Sequence, residues 1–544
     1  MNIKQVQSYI KVHTKQFLLC LYMGTIINIY LYTQLMPNEP NAAYYVLLFP
    51  LSIIVYIASY LLSILISKIL NKINIIPQKN SPAKKSLLLF FLIAFIIIIS
   101  ASIIWFVAYF PGGFSADSIN QYIQATTDTY NDWHPVLHTL LFFKLPLALF
   151  GTPQSIVLCQ IILFSLIVAY AATTIYSIAG RNWSFVFLIA ILINPIIFDE
   201  LMSPWKDVGF AILALLITTV TLKIYCNKGL WNKKLIYGIL LGLILAFCTL
   251  FRHNGFLFTA PVTIFLYFFL KRKQWLILIT SFLLAIFFIK IPLYSLLQVE
   301  SPDKRTVEVV GLPLTVIANV AKYAPQSLDE ETSNYLYEIA PAESWQNNYY
   351  TGDFNSIKFN NANLSPIEKL SPVQIFLLAA KTTIKSPTLS LLALFRLTHV
   401  VYGIGEVASY SVAPSIHPNN KANITYDGNQ TLANIIDKYR DLHSHSILKY
   451  TSYCGFTILL MLTFILFKNS RKDWKKILLC TPILFYDFCT MILLSGPETR
   501  FFYINFLIYP VVIILASMHP TRQPKTTPAK EAPRSKQKPK VLPS

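Results

Sequence analysis

Long apolar runs separated by short polar connections set the pattern of this chain. A hydrocarbon core of about 30 Å needs about 20 apolar residues per helix. Twelve runs meet that need, at residues 17–36, 43–69, 86–110, 154–177, 183–199, 206–226, 232–250, 254–271, 274–296, 447–467, 474–495 and 500–517. Two further apolar segments, 136–151 and 387–404, carry internal charge: Lys144 in the first, Arg396 with His399 in the second. Both are flanked by polar sequence. They read as helices lying along the outer surface or dipping into it, the alternative being an extra pair of true spans. The pattern predicts an all-α polytopic membrane protein of about 12 transmembrane helices with external surface helices.

The charges then choose sides. With the N-terminus (Lys4, Lys11, Lys15) in the cytoplasm, the cytoplasmic connections hold Lys68, Lys72, Lys79, Lys84 and Lys85, then Arg181, then Lys223 to Lys234, then Lys271 to Lys273, then Lys468 to Lys476. Asp473 and Glu531 are the acids on that side. Such asymmetry obeys the positive-inside rule and puts both termini in the cytoplasm of a multi-pass cell-membrane protein. Four regions follow. Residues 1–296 form an N-terminal transmembrane module that includes a first external loop, 111–153. Residues 297–446 are external loops with a surface or re-entrant helix. Residues 447–517 are C-terminal transmembrane helices, and 518–544 are a disordered basic cytoplasmic tail suited to anionic lipid.

Composition narrows the class further. The 544 residues are 55% hydrophobic and only 13% charged, well below the roughly 25% of soluble domains. The net charge of +20 lies in short runs between apolar spans, not on one soluble face, so nucleic acid is excluded as a partner. The seven Cys lie in or beside apolar runs, with no disulfide framework or CxxC spacing. The first apolar run ends in TQLMPNEP, so it is expected to be a retained helix, not a cleaved signal. No repeat of transporter period is visible.

Polar residues gather at the external ends of the spans. The first loop carries Asp117 and Asp132-Trp133-His134-Pro135. Further clusters are Asp199-Glu200 with Trp205-Lys206-Asp207, Arg252-His253-Asn254-Gly255, Lys290, and Glu498-Thr499-Arg500, with Asp487 deeper. Ionisable groups in such places are costly and usually face a cavity. Carboxylates beside ammonium and guanidinium groups suit an anionic head group with an acid or base next to it. Plainer readings stand beside these. Asp117 could cap a helix starting near Ser118, and Asp132 could cap 136–151. Lys206, Arg252 and Arg500 could be interfacial anchors, and Lys290 more so. His134 and His138, four residues apart, could share a metal, but no third ligand is evident.

The motifs FSADS and NDWHP in the first loop, with the later WKD (Trp205–Asp207), RHNG (Arg252–Gly255) and PETRFFY (Pro497–Tyr503), resemble a bacterial branch of the glycosyltransferase-C (GT-C) superfamily of polytopic membrane enzymes. The resemblance covers residues 86–300 and 474–517. It implies a GT-C-like fold and a transferase that moves a sugar from a polyprenyl-phosphate donor to an envelope glycan, protein or lipid acceptor outside the membrane, inverting the anomeric centre. It maps the family's functional Asp onto Asp117, and a second acid onto Asp132 or Asp207. Asp132 and His134 join Asp117 as catalytic candidates. Lys206, Arg252 and Arg500 are donor-phosphate candidates, and Asp207, Asn254 and Glu498 are supporting or acceptor-side candidates. No cofactor is expected, with a divalent metal as the alternative; the lack of a DxD or ExD pair in the loop puts a metal-dependent mechanism in doubt. Other functions compatible with the residues are a lipid-linked or charged-solute transporter or flippase, a polysaccharide polymerase or ligase, and a non-catalytic scaffold.

Overall fold

The computed structural model describes residues 3–35, 42–73, 75, 78, 82–232, 234–302, 305–405 and 413–518. The expected tail from 519 onward lies outside the described residues. Among the described residues the protein is helical, with isolated bridges in place of strands. Seven helices are long and apolar enough to cross a membrane: His13–Leu35, Val46–Lys72, Lys84–Ala108, Gln154–Ala179, Lys206–Cys226, Arg272–Leu296 and Thr499–Ser517. The number rises to nine if two bent pairs each count as a span. This is the architecture of a helical membrane protein.

The remaining runs drawn from the sequence are shorter or broken, for local reasons. The run at 183–199 divides into Arg181–Leu192 and Pro195–Leu201, bent by 64°. Pro195 stops the first helix, and Asn194 caps the second by accepting from the Ile196 amide at 3.2 Å. The helix Leu235–Phe251 has 17 residues. Helix Phe256–Phe265 contains Pro261 and ends in a tighter turn at Leu266–Phe268. The 474–495 run splits at Pro482 into Trp474–Cys480 and Pro482–Met491. The two charged apolar segments form Val136–Phe150 and Pro387–Tyr402, both too short to stand among the candidate spans. Their charges have partners. Lys144 meets Asp128 at 2.7 Å, and Arg396 donates to the Thr33 carbonyl at 3.1 Å.

The buried centre is built from Gln154–Ala179, Lys206–Cys226 and Thr499–Ser517, which are apolar all round and enclosed by the rest. Helices Val46–Lys72, Lys84–Ala108 and Arg272–Leu296 lie outside and expose most of their apolar surface, as lipid-facing helices do. Close approach replaces hydrophobic driving force where two helices meet in lipid. A Cβ at Gly242 would fall 2.5 Å from the Leu278 carbonyl, and one at Gly238 3.0 Å from Gln274, so this glycine pair seats Leu235–Phe251 against Arg272–Phe288. The 297–446 region carries a second hydrophobic cluster of its own, around Leu314, Leu336, Trp345, Tyr349, Phe354 and Ile375.

Candidate functional site

The first loop is pinned before its helix starts. The Gly113 amide donates to the Met202 carbonyl at 2.9 Å, and a Cβ there would lie 2.5 Å from the Ser203 hydroxyl. The Phe114 amide donates to the Ser415 carbonyl, and the His417 amide to that of Phe114, so residues 413–417 run beside the loop. Ser115 caps helix Ala116–Thr127 by accepting from the Ser118 amide at 3.3 Å. Asp117 is therefore not the cap. It sits in the helix's first turn, where the helix dipole favours a negative charge. Trp205 donates its indole N–H to the Ser115 hydroxyl at 2.7 Å, which joins the WKD segment to the loop.

Arg500 joins the two ends of the chain at this point. Its Nη1 donates to Asp117 Oδ2 at 3.1 Å and its Nε to Glu498 Oε2 at 2.5 Å. Its guanidinium stacks over Trp205 at 4.9 Å and over Phe501 at 5.2 Å. Glu498 accepts in turn from Nδ2 of Asn355, in the 297–446 region, at 3.1 Å. The Asp117 side chain remains one-third exposed, and its Oδ1 accepts no hydrogen bond from the described residues. Burial pushes the Asp117 carboxyl up, but Arg500 and Lys206 together outweigh it and hold the group well below the usual carboxylate range. Lys206, at the start of its helix, feels Asp117, Arg500 and Arg252. Among the described residues it has no hydrogen-bonded or ion-paired side-chain partner.

A cleft of about 700 Å³ opens beside Asp117 and His134, between helix Ala116–Thr127 and the segment around Gln298–Pro302. His134 is buried with its Nδ1 unpartnered, and burial drives its imidazole down to about 3, so it is neutral at ordinary pH. His138 does not join it at a metal. Its Nδ1 faces the Gln121 amide at 3.0 Å, and its ring stacks on Phe142. Among the described residues no three His, Cys, Asp or Glu side chains are grouped to hold a metal ion, so a divalent ion has no evident ligand set here.

Asp132, Asp207 and Arg252 have ion partners other than Asp117. Asp132 pairs with Lys290 at 2.9 Å and accepts from the Tyr294 hydroxyl at 2.9 Å. It does not cap the following helix, whose preceding residue is Pro135 without a side-chain cap. Lys290, read as an anchor, is thus the partner of Asp132. Arg252 and Asp207 form an ion pair with each other, and both side chains are almost fully buried. Burial pulls the Arg252 guanidinium down from its ordinary value. Arg252 stacks on Phe501 at 4.8 Å, and so sits under the Arg500 layer. Asn254 lies in a tight turn, half-buried, next to His253, whose Nε2 meets the Asp132 carbonyl at 3.0 Å. Three contributors carried no role in the sequence reading: Trp205, Asn355 and Glu200. Glu200 has a buried Oε2 without a partner and lies within electrostatic reach of Arg500 and Glu498. An acid next to Asp199 at a helix break was the available signal for Glu200. Asn355 offered none.

A family model described as a family of unknown function (DUF6020) matches residues 153–362. That stretch holds Glu200, Lys206, Asp207, Arg252 and Asn254, but neither Asp117 nor Arg500. No curated protein and no solved structure matches the chain.

Proposed function

We propose that the protein is a membrane glycosyltransferase that moves a sugar from a polyprenyl-phosphate donor to an envelope acceptor on the external face, with both termini cytoplasmic. One observation carries the reading: an ionised carboxylate, Asp117, borders an open cleft with a free Oδ1, beside Arg500 and the unneutralised Lys206. The external placement rests on the distribution of Lys and Arg between the apolar runs.

The chemistry follows from the charges. The acceptor hydroxyl attacks the anomeric carbon while the bond from that carbon to the phosphate oxygen breaks. The hydroxyl proton passes to Asp117 Oδ1, and polyprenyl phosphate leaves with the added charge. Arg500 and Lys206 stabilise that leaving group. A carboxyl held low is a weak base, so its cations must be partly drawn away. A donor phosphate bound at Arg500 and Lys206 does this, neutralising the charge that depresses Asp117 and raising its basicity only when donor is present. Single displacement inverts the anomeric centre. Arg252 and Asp207 hold the layer beneath and are assigned no direct contact with phosphate.

Mass spectrometry of envelope glycans from cells with and without the protein tests the reading. A sugar lost with the protein, and not restored by Asp117→Asn, is the expected result. An unchanged glycan profile under expressing conditions contradicts it.

A further inference from the structure

The cleft wall away from Asp117 has no role in the transfer step, and its chemistry is specific. Asn120, Asn131 and Gln298 supply carboxamides, Trp133 an indole, and Asp128 and Glu300 carboxylates. Among the described residues no Lys or Arg lines the space. Local hydrogen bonds orient the amides. Gln124 Nε2 donates to Asn120 Oδ1 at 2.7 Å, and the Trp133 amide donates to Asn131 Oδ1 at 2.8 Å. Each of these oxygens is engaged, while the NH₂ groups, the Trp133 indole N–H and the Glu300 carboxylate have no partner among the described residues. The Glu300 amide donates to the Tyr130 carbonyl and the Asp132 amide to that of Glu300, so two walls of the cleft are tied together behind these groups.

Free donors, a free acceptor and an aromatic plate in one cleft match a sugar ring. Each hydroxyl can donate and accept at once, and the apolar ring face can lie against indole. The charge balance points to which sugars. Asp117 is compensated by Arg500 and Asp128 by Lys144, which leaves Glu300 as the uncompensated carboxylate among the described residues of this wall. A phosphodiester chain lying along this wall meets a carboxylate and, among the described residues, no lining cation.

We propose that this wall is a carbohydrate subsite for a neutral, polyhydroxylated chain and that it rejects polyanionic, phosphate-linked polymers. The transferase reading enters only in naming the occupant as acceptor; binding itself does not depend on it.

The test uses the full chain in lipid nanodiscs, with saturation-transfer NMR and calorimetry. The probes are neutral trisaccharides of glucose, galactose, mannose and N-acetylglucosamine, and an oligo(glycerol phosphate). At least one neutral trisaccharide binds, and Asn120→Ala or Trp133→Phe each weakens it by about tenfold. The phosphate oligomer binds only after Glu300→Lys. Trp133→Phe keeps an aromatic ring, so loss of binding is separable from loss of fold. The proposal is overturned if no neutral trisaccharide binds, if the phosphate oligomer binds the native protein as tightly, or if both variants leave binding unchanged. Donor cleavage is scored separately. Trisaccharide binding without cleavage of any polyprenyl-phosphate sugar keeps the subsite and removes the transferase reading. Cleavage with transfer only to phosphodiester chains does the reverse.

Discussion

Two carboxylate–guanidinium pairs stand near the same end of the bundle and do different work. In the pair Asp199–Arg440 the side chains are 3% and 9% exposed, against 33% and 20% in Asp117–Arg500. Arg440 grips Asp199 through Nε at 3.1 Å and Nη2 at 2.5 Å, and Trp105 donates to the same carboxylate at 2.9 Å. Arg440 also donates to the Tyr109 hydroxyl at 2.6 Å. The sealed pair is fully engaged, and it clamps helix Gln430–Ser444 against Pro195–Leu201 and, through Trp105 and Tyr109, against the end of Lys84–Ala108. The open pair commits one oxygen of Asp117 and leaves the other facing the cleft. The chemistry of the two pairs is alike; access to solvent decides which can react and which can only hold.

The sharpest way to break the comparison is to remove one partner from each pair. Asp117→Asn lowers transfer by about 10²- to 10⁴-fold, with a smaller fall in thermal midpoint than the sealed pair shows, because Arg500 keeps Glu498 as a partner. The assay is release of polyprenyl phosphate from labelled donor. Removing one partner of the sealed pair acts the other way. Arg440→Ala strands a buried carboxylate and costs about 3–5 kcal/mol, read by thermal unfolding in detergent or nanodiscs. Asp199→Leu combined with Arg440→Met recovers much of that loss, because neither charge is then left unpaired.

Acid provides a gentler contrast. The His134 imidazole is held near 3 when folded and returns to its ordinary value near 6.5 when unfolded. Between those values the unfolded chain binds more protons, so stability is full above about pH 6.5 and falls as pH drops toward 3. His253 is shifted the same way, so His134→Gln flattens the slope in part. Asp117 is depressed, so its contribution is present above its unfolded value and is lost only in strong acid. Unfolding midpoints collected from pH 7 to pH 4 check the slope. The smallest effect belongs to a fully solvated pair. Lys381→Ala, which frees Glu331 at the surface, leaves the midpoint essentially where it is in the same unfolding assay.

These pairs also mark how far the sequence alone could lead. Apolar length placed every long helix, because lipid demands about 20 apolar residues wherever a helix crosses. Helix breaks at Pro195 and Pro482 are written in the chain but hidden by counting hydropathy alone. At the site, Asp117 and Arg500 drew notice because each breaks an oily pattern at a helix end, and they meet at 3.1 Å. Partner choice was not legible. Asp132 took Lys290 and Asp207 took Arg252 because packing decides which charges meet across more than forty residues, and no periodicity encodes that. Asn355 shows the extreme case, reaching Glu498 from a region with its own hydrophobic cluster.

The central claim is that Asp117, beside Arg500 and Lys206, takes a proton while a sugar leaves phosphate. Purified protein in nanodiscs, given polyprenyl-phosphate sugars and a neutral oligosaccharide, tests it by counting polyprenyl phosphate released per protein. The account predicts turnover in the native chain, little or none in Asp117→Asn, and bound donor in both. Equal release from the two proteins, or none from the native chain with any donor, would contradict it.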